Sequence, residues 1–384
     1  MADEFKEVTN PSTGSGGWGG NIKNAFVGAL IGILLFFLSF YVLWTNEGRV
    51  NMAKVAAKMT AIQSEKVDPA CNGQAVSVSG QLSAVEQLGD PEFLKPGPYI
   101  SLERTVEMFA WVEEKETKEK QNTGGSATKE TTYRYEKKWT DDPENSKEFK
   151  HPEGHENPAR PFQSETFTVK TAAIGAYRVD PAGMYLPETG AVSLDTAKVN
   201  IKGRYKLTGE YIFIGNGTLT NPSVGDVRIS FSAVPNDIKV TAFGKVEAGG
   251  LVPYMYKGKH RLYRAIALSR DEAIALIAHE HKVTGWLLRL IGFLMMWFGL
   301  QALFGPVVAV LGVLPFLGKV GRFVWGFITF FVSLFLSLVV IVISMIAHNV
   351  WALLAVVAII VGLFFWLKTK KKEATPVAPA APAK

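Results

Sequence analysis

The chain has 384 residues, 48% of them hydrophobic, one cysteine and a formal net charge of +6. The positive excess lies at the two ends, and residues 46–282 balance acid against base, which excludes a polyanion-binding body and nucleic acid as a partner. Cys71 stands alone, so no internal disulfide is available and any folded body rests on its own apolar core.

Residues 1–22 are polar with a Gly/Ser cluster, "STGSGGWGG", and are expected as a flexible cytoplasmic tail. Residues 23–45 form the first expected transmembrane helix, because Ala25 to Trp44 carries no charge and spans about 30 Å as a helix. The run is too long and bulky for a cleaved signal peptide. Gly28 and Gly32 give it a G-x-x-x-G spacing that lets another helix approach closely. The helix ends at "TNEGR", and "RVNMAKVAAKMTAIQ" beyond it has helical spacing that continues or abuts the span.

Residues 46–268 read as a β-rich body, sandwich- or barrel-like. Strands are expected over 74–84, 105–116, 130–139, 165–179, 210–217, 226–234 and 237–248, where β-branched and aromatic residues alternate between turn residues. "KETKEKQNTGGSATKE" joins two of them and gives no reason for order. His151 and His155 in "HPEGHENP" are spaced like a zinc pair, but Pro152 and Gly154 break the helix that would align them, so a turn without metal is expected. Lys257, Lys259, Arg261 and Arg264 in "YKGKHRLYR" fit a solvated strand edge. The alternative is contact with lipid headgroups, worth about 1 kcal/mol per cation.

Ser269 and Glu272 form a capping-box pattern that opens a juxtamembrane amphipathic helix over 269–285. Three further spans are expected at 286–304, 323–347 and 350–367. The Gly- and Pro-broken segment 305–322 between the first two of these reads as re-entrant or interfacial. Arg289 reads as an interface anchor. Thr329, Ser333, Ser337 and Ser344 share one face of the third span, either packing against a neighbour or lining a path. Lys368, Lys370, Lys371 and Lys372 in the tail 368–384 place that end in the cytoplasm; four spans then place the N-terminus there too and the body on the opposite side.

No G-x-S-x-G, phosphate loop or H-E-x-x-H occurs, so no enzyme, cofactor or metal is expected. "TNEGR", "VEMFAWVE", "KETTYRYEKKW", "NSKEF", "GHENP", "VGDVRISFS", "LVPY" and "WALL", in this order, resemble the LUMA family of four-span membrane proteins. The resemblance implies, in animals, a protein of the endoplasmic reticulum and inner nuclear membrane with a lumenal domain, self-association and a role in organising complexes that include lamins and emerin. A bacterial member would share the architecture, with a periplasmic body at the inner membrane, and the general organising role. The motif residues Glu47, Arg49, Trp111, His155, Asn157, Pro158, Asp226 and Arg228 have no assigned chemistry in the family and are expected to be structural.

The expectation is therefore an α+β membrane protein with four transmembrane helices and a β-rich extramembrane domain. It would act as an oligomeric scaffold for other membrane proteins or local lipid. The alternative is a channel or transporter component lined by the Ser/Thr face; a membrane-tethered hydrolase has the least support.

Overall fold

The computed structural model describes residues 3–9, 18–121, 127–200, 202–203, 205–307 and 317–373. These fall into two compact units. A β body contains the described residues between 1 and 11, 51 and 122, and 127 and 281; a helical unit contains those between 12 and 50 and between 282 and 384.

In chain order the strands are β1 Asp3–Thr9, β2 Thr60–Gln63, β3 Ala75–Ser83, β4 Leu88–Asp90, β5 Leu94–Gly97, β6 Tyr99–Gln121, β7 Ala127–Thr140, β8 Glu165–Thr168, β9 Ala172–Ile174 and β10 Tyr177–Val179. There follow β11 Gly190–Ala191, β12 Lys206–Thr208, β13 Tyr211–Ile214, β14 Val227–Pro235, β15 Ile238–Glu247, β16 Gly250–Val252, β17 Tyr254–Tyr256, β18 His260–Leu262 and β19 Arg264–Ile266. The helices are α1 Trp18–Glu47, α2 Met52–Ala57, α3 Arg270–Leu303, α4 Leu317–Ala347 and α5 Val350–Glu373.

One sheet of the body runs β1-β7-β6-β14-β13-β12, with β8 on β6 and β11 on β14. In the other, β3, β9, β10, β16 and β15 pair successively and β15 returns to β3, closing a small barrel. Closure removes the exposed strand edges that an open sheet of this size would present. Val227, Ile229, Phe231 and Ala233 alternate inward along β14 and join Val76, Leu102 and Val240 in one core shared by both sheets. β15 is buried on both faces: its Phe243 packs with Ala53, Ala56, Ile266, Ala273 and Ile277, so α2 and the first turns of α3 cover the barrel wall.

Several expectations are corrected. Residues 3–9, expected to be flexible, form the strand β1, paired antiparallel with β7 from Asp3↔Tyr135 to Thr9↔Lys129. The polar segment "KETKEKQNTGGSATKE", expected without order, is strand on both sides of residues 122–126, which lie outside the described residues; β6 and β7 extend into it because opposite charges face each other, as at Glu114↔Arg134 and Lys118↔Glu130. The helix after the first span is only Met52–Ala57, capped by Asn51, and residues 60–63 are the parallel strand β2. The expected strand 165–179 divides into β8, β9 and β10.

Among the described residues, three segments are long and apolar enough to cross a membrane: Phe26–Ala57, Arg270–Leu303 and Phe323–Ala347. The expected fourth is represented by α5, whose described apolar stretch is the shorter Leu353–Leu363. α3 is one continuous helix through the expected junction at residue 285. α4 starts at Leu317 rather than 323, and the core of the expected re-entrant segment, 308–316, lies outside the described residues, as do the tail residues 374–384.

Candidate functional site

In the body, the motif residues meet along one edge of β6. Just before β14 begins, the Asp226 carbonyl accepts from the Phe109 amide (2.8 Å) and the Gly225 amide donates to the Phe109 carbonyl (2.9 Å). One step further, the side-chain amide of Asn157 takes over: its Oδ1 accepts from the Trp111 amide and its Nδ2 donates to the Trp111 carbonyl, each at 2.8 Å. The carboxamide reproduces a strand neighbour without a strand, leaving no orphaned backbone group at Trp111. Pro158 follows against Gly225, where an added Cβ would lie 2.7 Å from the proline ring.

His155 lies behind this edge, 3% exposed, stacked on Tyr135 at 4.1 Å and edge-on to Trp111 at 4.7 Å. Its Nδ1 is 2.9 Å from the His151 carbonyl, which accepts only, so that nitrogen carries the hydrogen; Nε2 lies 3.2 Å from Asp3 of β1. Fully buried Tyr135 donates to Glu113 (2.5 Å) and accepts from the His151 amide (2.9 Å). Burial, and then the Glu113 carboxylate, push its phenol up to about 12. Among the described residues no group of three or more His, Cys, Asp or Glu side chains is arranged to hold a metal; His151 and His155 are instead parts of an aromatic cluster.

Asp226, 2% exposed, gathers the amides of Asn216 (2.9 Å), Gly217 (3.0 Å) and Ser223 (2.7 Å) and so pins the turn before β14. Arg228 forms a bidentate pair with its cross-strand neighbour Glu107 at 2.6 and 2.7 Å, between the Trp139 and Tyr211 rings. The Glu107 hydrogen bonds hold this guanidinium above its ordinary range. No sequence pattern announces the buried pair Arg104–Asp90 at 2.5 Å, which links β6 to β4 and is completed by Glu165 of β8.

In the helical unit, "TNEGR" ties three helices together. Glu47 at the end of α1, its side chain 7% exposed, binds Arg289 of α3 through two bonds of 2.7 and 2.8 Å. Asn46 donates to the Gly285 carbonyl at 3.1 Å and accepts from Arg49 at 3.4 Å. A Cβ on Gly48 would lie 2.5 Å from the His348 ring, and Ser344 of α4 donates to the Trp44 carbonyl at 2.9 Å. Arg289 is thus not a lone interface anchor but half of an inter-helix ion pair.

The remaining candidates separate. Gly32 lies against α3, where an added Cβ would be 2.7 Å from the Gly299 carbonyl, while Gly28 has nothing within 4 Å. Thr329, Ser333, Ser337 and Ser344 are all buried. Thr329 bonds back to the Trp325 carbonyl, and Ser337 contacts the Met296 sulfur. This face is filled by neighbouring helices, which leaves the pore reading without support. Arg264 is engaged by Glu280 at 2.6 and 2.8 Å and Arg261 by the Gly183 carbonyl, while Lys257 and Lys259 are exposed around the β17–β18 turn. No local spacing signals Tyr135, Gly299 or His348; each gains its role from a partner far away in sequence.

A family model described as Transmembrane protein 43 matches residues 108–350. The chain is 29% identical to the Mus musculus protein of that name over 293 residues, 71% of this chain and 72% of the mouse protein. It is 30% identical to the Rattus norvegicus protein over 298 residues, again 71% and 72%. A Drosophila melanogaster transmembrane protein 43 homolog is 28% identical over 289 residues, 71% of this chain and 75% of the fly protein. No solved structure matches.

Proposed function

The chain belongs to the transmembrane protein 43 (LUMA) family, and from that premise we propose that it is a scaffold: a self-associating integral membrane protein whose body organises other membrane proteins or local lipid. One observation carries this reading. The motif residues of the body and of the α1 exit are engaged in building shape, Asn157 and Asp226 on backbone amides, Arg228 on Glu107 and Glu47 on Arg289, and none of these four aims a reactive group at solvent. A protein whose characteristic residues build rigid form acts through what that form holds.

In this reading α5 makes a fourth crossing, and the lysines at 368 and 370–372 keep the chain's end in the cytoplasm. The body then faces the opposite compartment, the periplasm or its equivalent, the lumen of the endoplasmic reticulum and inner nuclear membrane. Exposed Lys257 and Lys259 are the cations available to anionic headgroups.

Subunit counting on the protein reconstituted at low density tests the scaffold. Stable oligomers and silent bilayers are expected; monomers, or currents abolished by Ser333→Leu with Ser337→Leu, would overturn it. Protease added to sealed vesicles of known orientation tests the topology, because the body and the lysine-rich tail must be cut from opposite sides.

A further inference from the structure

We infer that the outer edge of β7 is a strand-accepting site for an acidic, aromatic-bearing polypeptide on the body's side of the membrane, and that residues 3–9 are its stand-in ligand. The inference rests on the topology proposed above. If α1 crosses the bilayer once, residues 3–9 and the body face different compartments, and β1 cannot hold its own β7 in the inserted chain. The seat itself is built entirely from the body.

Strand addition draws affinity from the backbone ladder and selectivity from alternate side chains. Here the ladder runs seven residues along β7. Asp3, Phe5 and Glu7, on one face of it, all reach one cluster. Asp3 meets Nε2 of His155 at 3.2 Å. Phe5 stacks on His151 at 4.5 Å and 24° and presents an edge contact to Tyr135 at 5.8 Å. Glu7 meets Lys150 at 3.2 Å. On the opposite face Glu4 lies 3.5 Å from Arg134.

The chemistry of the seat selects the occupant. Lys150 and Arg134 supply charged donors to it, and His151 and His155 turn ring nitrogens towards it. The nearby Glu113 carboxylate is taken by the Tyr135 hydroxyl and the Lys150 amide at 2.5 and 2.6 Å. His151 Nε2 is buried without a hydrogen bond and lies 4.0 Å from Glu7, a nitrogen that an acid seated slightly closer would satisfy. An extended segment with acids at its first and fifth positions and an aromatic at its third therefore fits, whereas a basic one is repelled. Without an occupant, β7 presents an open edge and the Tyr135 and His151 rings lose the Phe5 ring packed on them, an arrangement that folded proteins cover.

The test uses the full-length protein in sealed proteoliposomes with the body outward. A fluorescent peptide MADEFKEVTN added outside is expected to bind saturably, with the Phe5→Ala peptide at least about tenfold weaker. Lys150→Glu in the protein should weaken the wild-type peptide and favour a peptide carrying Glu7→Lys, a reversal that misfolding does not produce. In parallel, Lys6→Cys is probed with an impermeant maleimide, and Val8→Cys with Glu130→Cys by oxidation. The expected result is a thiol at position 6 that is protected from outside, no intramolecular disulfide, and saturable peptide binding. A protected thiol without peptide binding overturns the inference and leaves the topology standing. Labelling of that thiol from outside, or a rapid intramolecular disulfide, overturns the topology and makes β1 a permanent strand.

Discussion

Glu47 and Arg289 lie 242 residues apart and form a two-bond ion pair with the carboxylate almost entirely enclosed, joining the end of α1 to α3. A carboxylate in this position is costly unless its partner is present. Removing one member of such a pair costs about 3–5 kcal/mol, whereas replacing both with apolar groups is often nearly neutral. Glu47→Leu and Arg289→Met are each expected to lower the melting temperature of the detergent-solubilised protein markedly. The double variant should recover most of the loss; additive losses would show that the two side chains act independently.

Gly32 and Gly28 give opposite expectations despite sharing one sequence pattern. A side chain at 32 meets the α3 backbone at 2.7 Å, and at 28 it meets open space. Gly32→Leu should force α1 from α3 and cost about 3 kcal/mol or more, while Gly28→Leu should stay within about 0.5 kcal/mol. Melting of the two variants side by side measures the difference, and equal effects would remove the asymmetry claimed for the α1 surface.

These two positions also mark how far the sequence could be read. Signals carried by neighbouring residues were legible: the uncharged run from Ala25 to Trp44 for α1, and the alternation of Val227, Ile229 and Phe231 for β14. Contacts set by distant partners were not. The spacing of Gly28 and Gly32 cannot say which one meets Gly299, and Arg289 in isolation reads as an anchor because Glu47 is on another helix. The charged hairpin and β1 were illegible for the same reason. Lys118 is a disorder-promoting residue alone but faces Glu130 across the ladder, and Asp3 and Glu7 of β1 meet His155 and Lys150 more than a hundred residues away. "GHENP" could be recognised as a motif, but nothing local shows that Asn157 serves as a strand edge for Trp111.

Asn157→Ala removes both bonds to Trp111 and a third, Nδ2 to the Glu144 carbonyl at 3.1 Å. Each buried backbone group left unpaired costs about 1–3 kcal/mol, so a loss of about 3 kcal/mol in the stability of the body is expected. Asn157→Asp keeps the acceptor and loses the donors, and should fall between wild type and alanine. Hydrogen exchange at the Trp111 amide gives the local readout: it should accelerate in the alanine variant and stay slow in the aspartate one.

The Tyr135 phenol predicts an alkaline limit to stability. Its folded value near 12 lies above the ordinary value of 10, so folding favours the neutral form. The contribution is fully present below pH 10, where both states are protonated, and is lost as pH rises from 10 towards 12 while only the unfolded phenol ionises. Two units correspond to a change on the order of 2 kcal/mol across that window. Tyr135→Phe removes the ionisable group and the bond to Glu113 together. It should be less stable than wild type at about pH 8, yet lose less between pH 10 and 12. Parallel urea titrations of both proteins at about pH 8, 10 and 11.5 measure the two slopes, and equal slopes would mean that another group sets the alkaline limit.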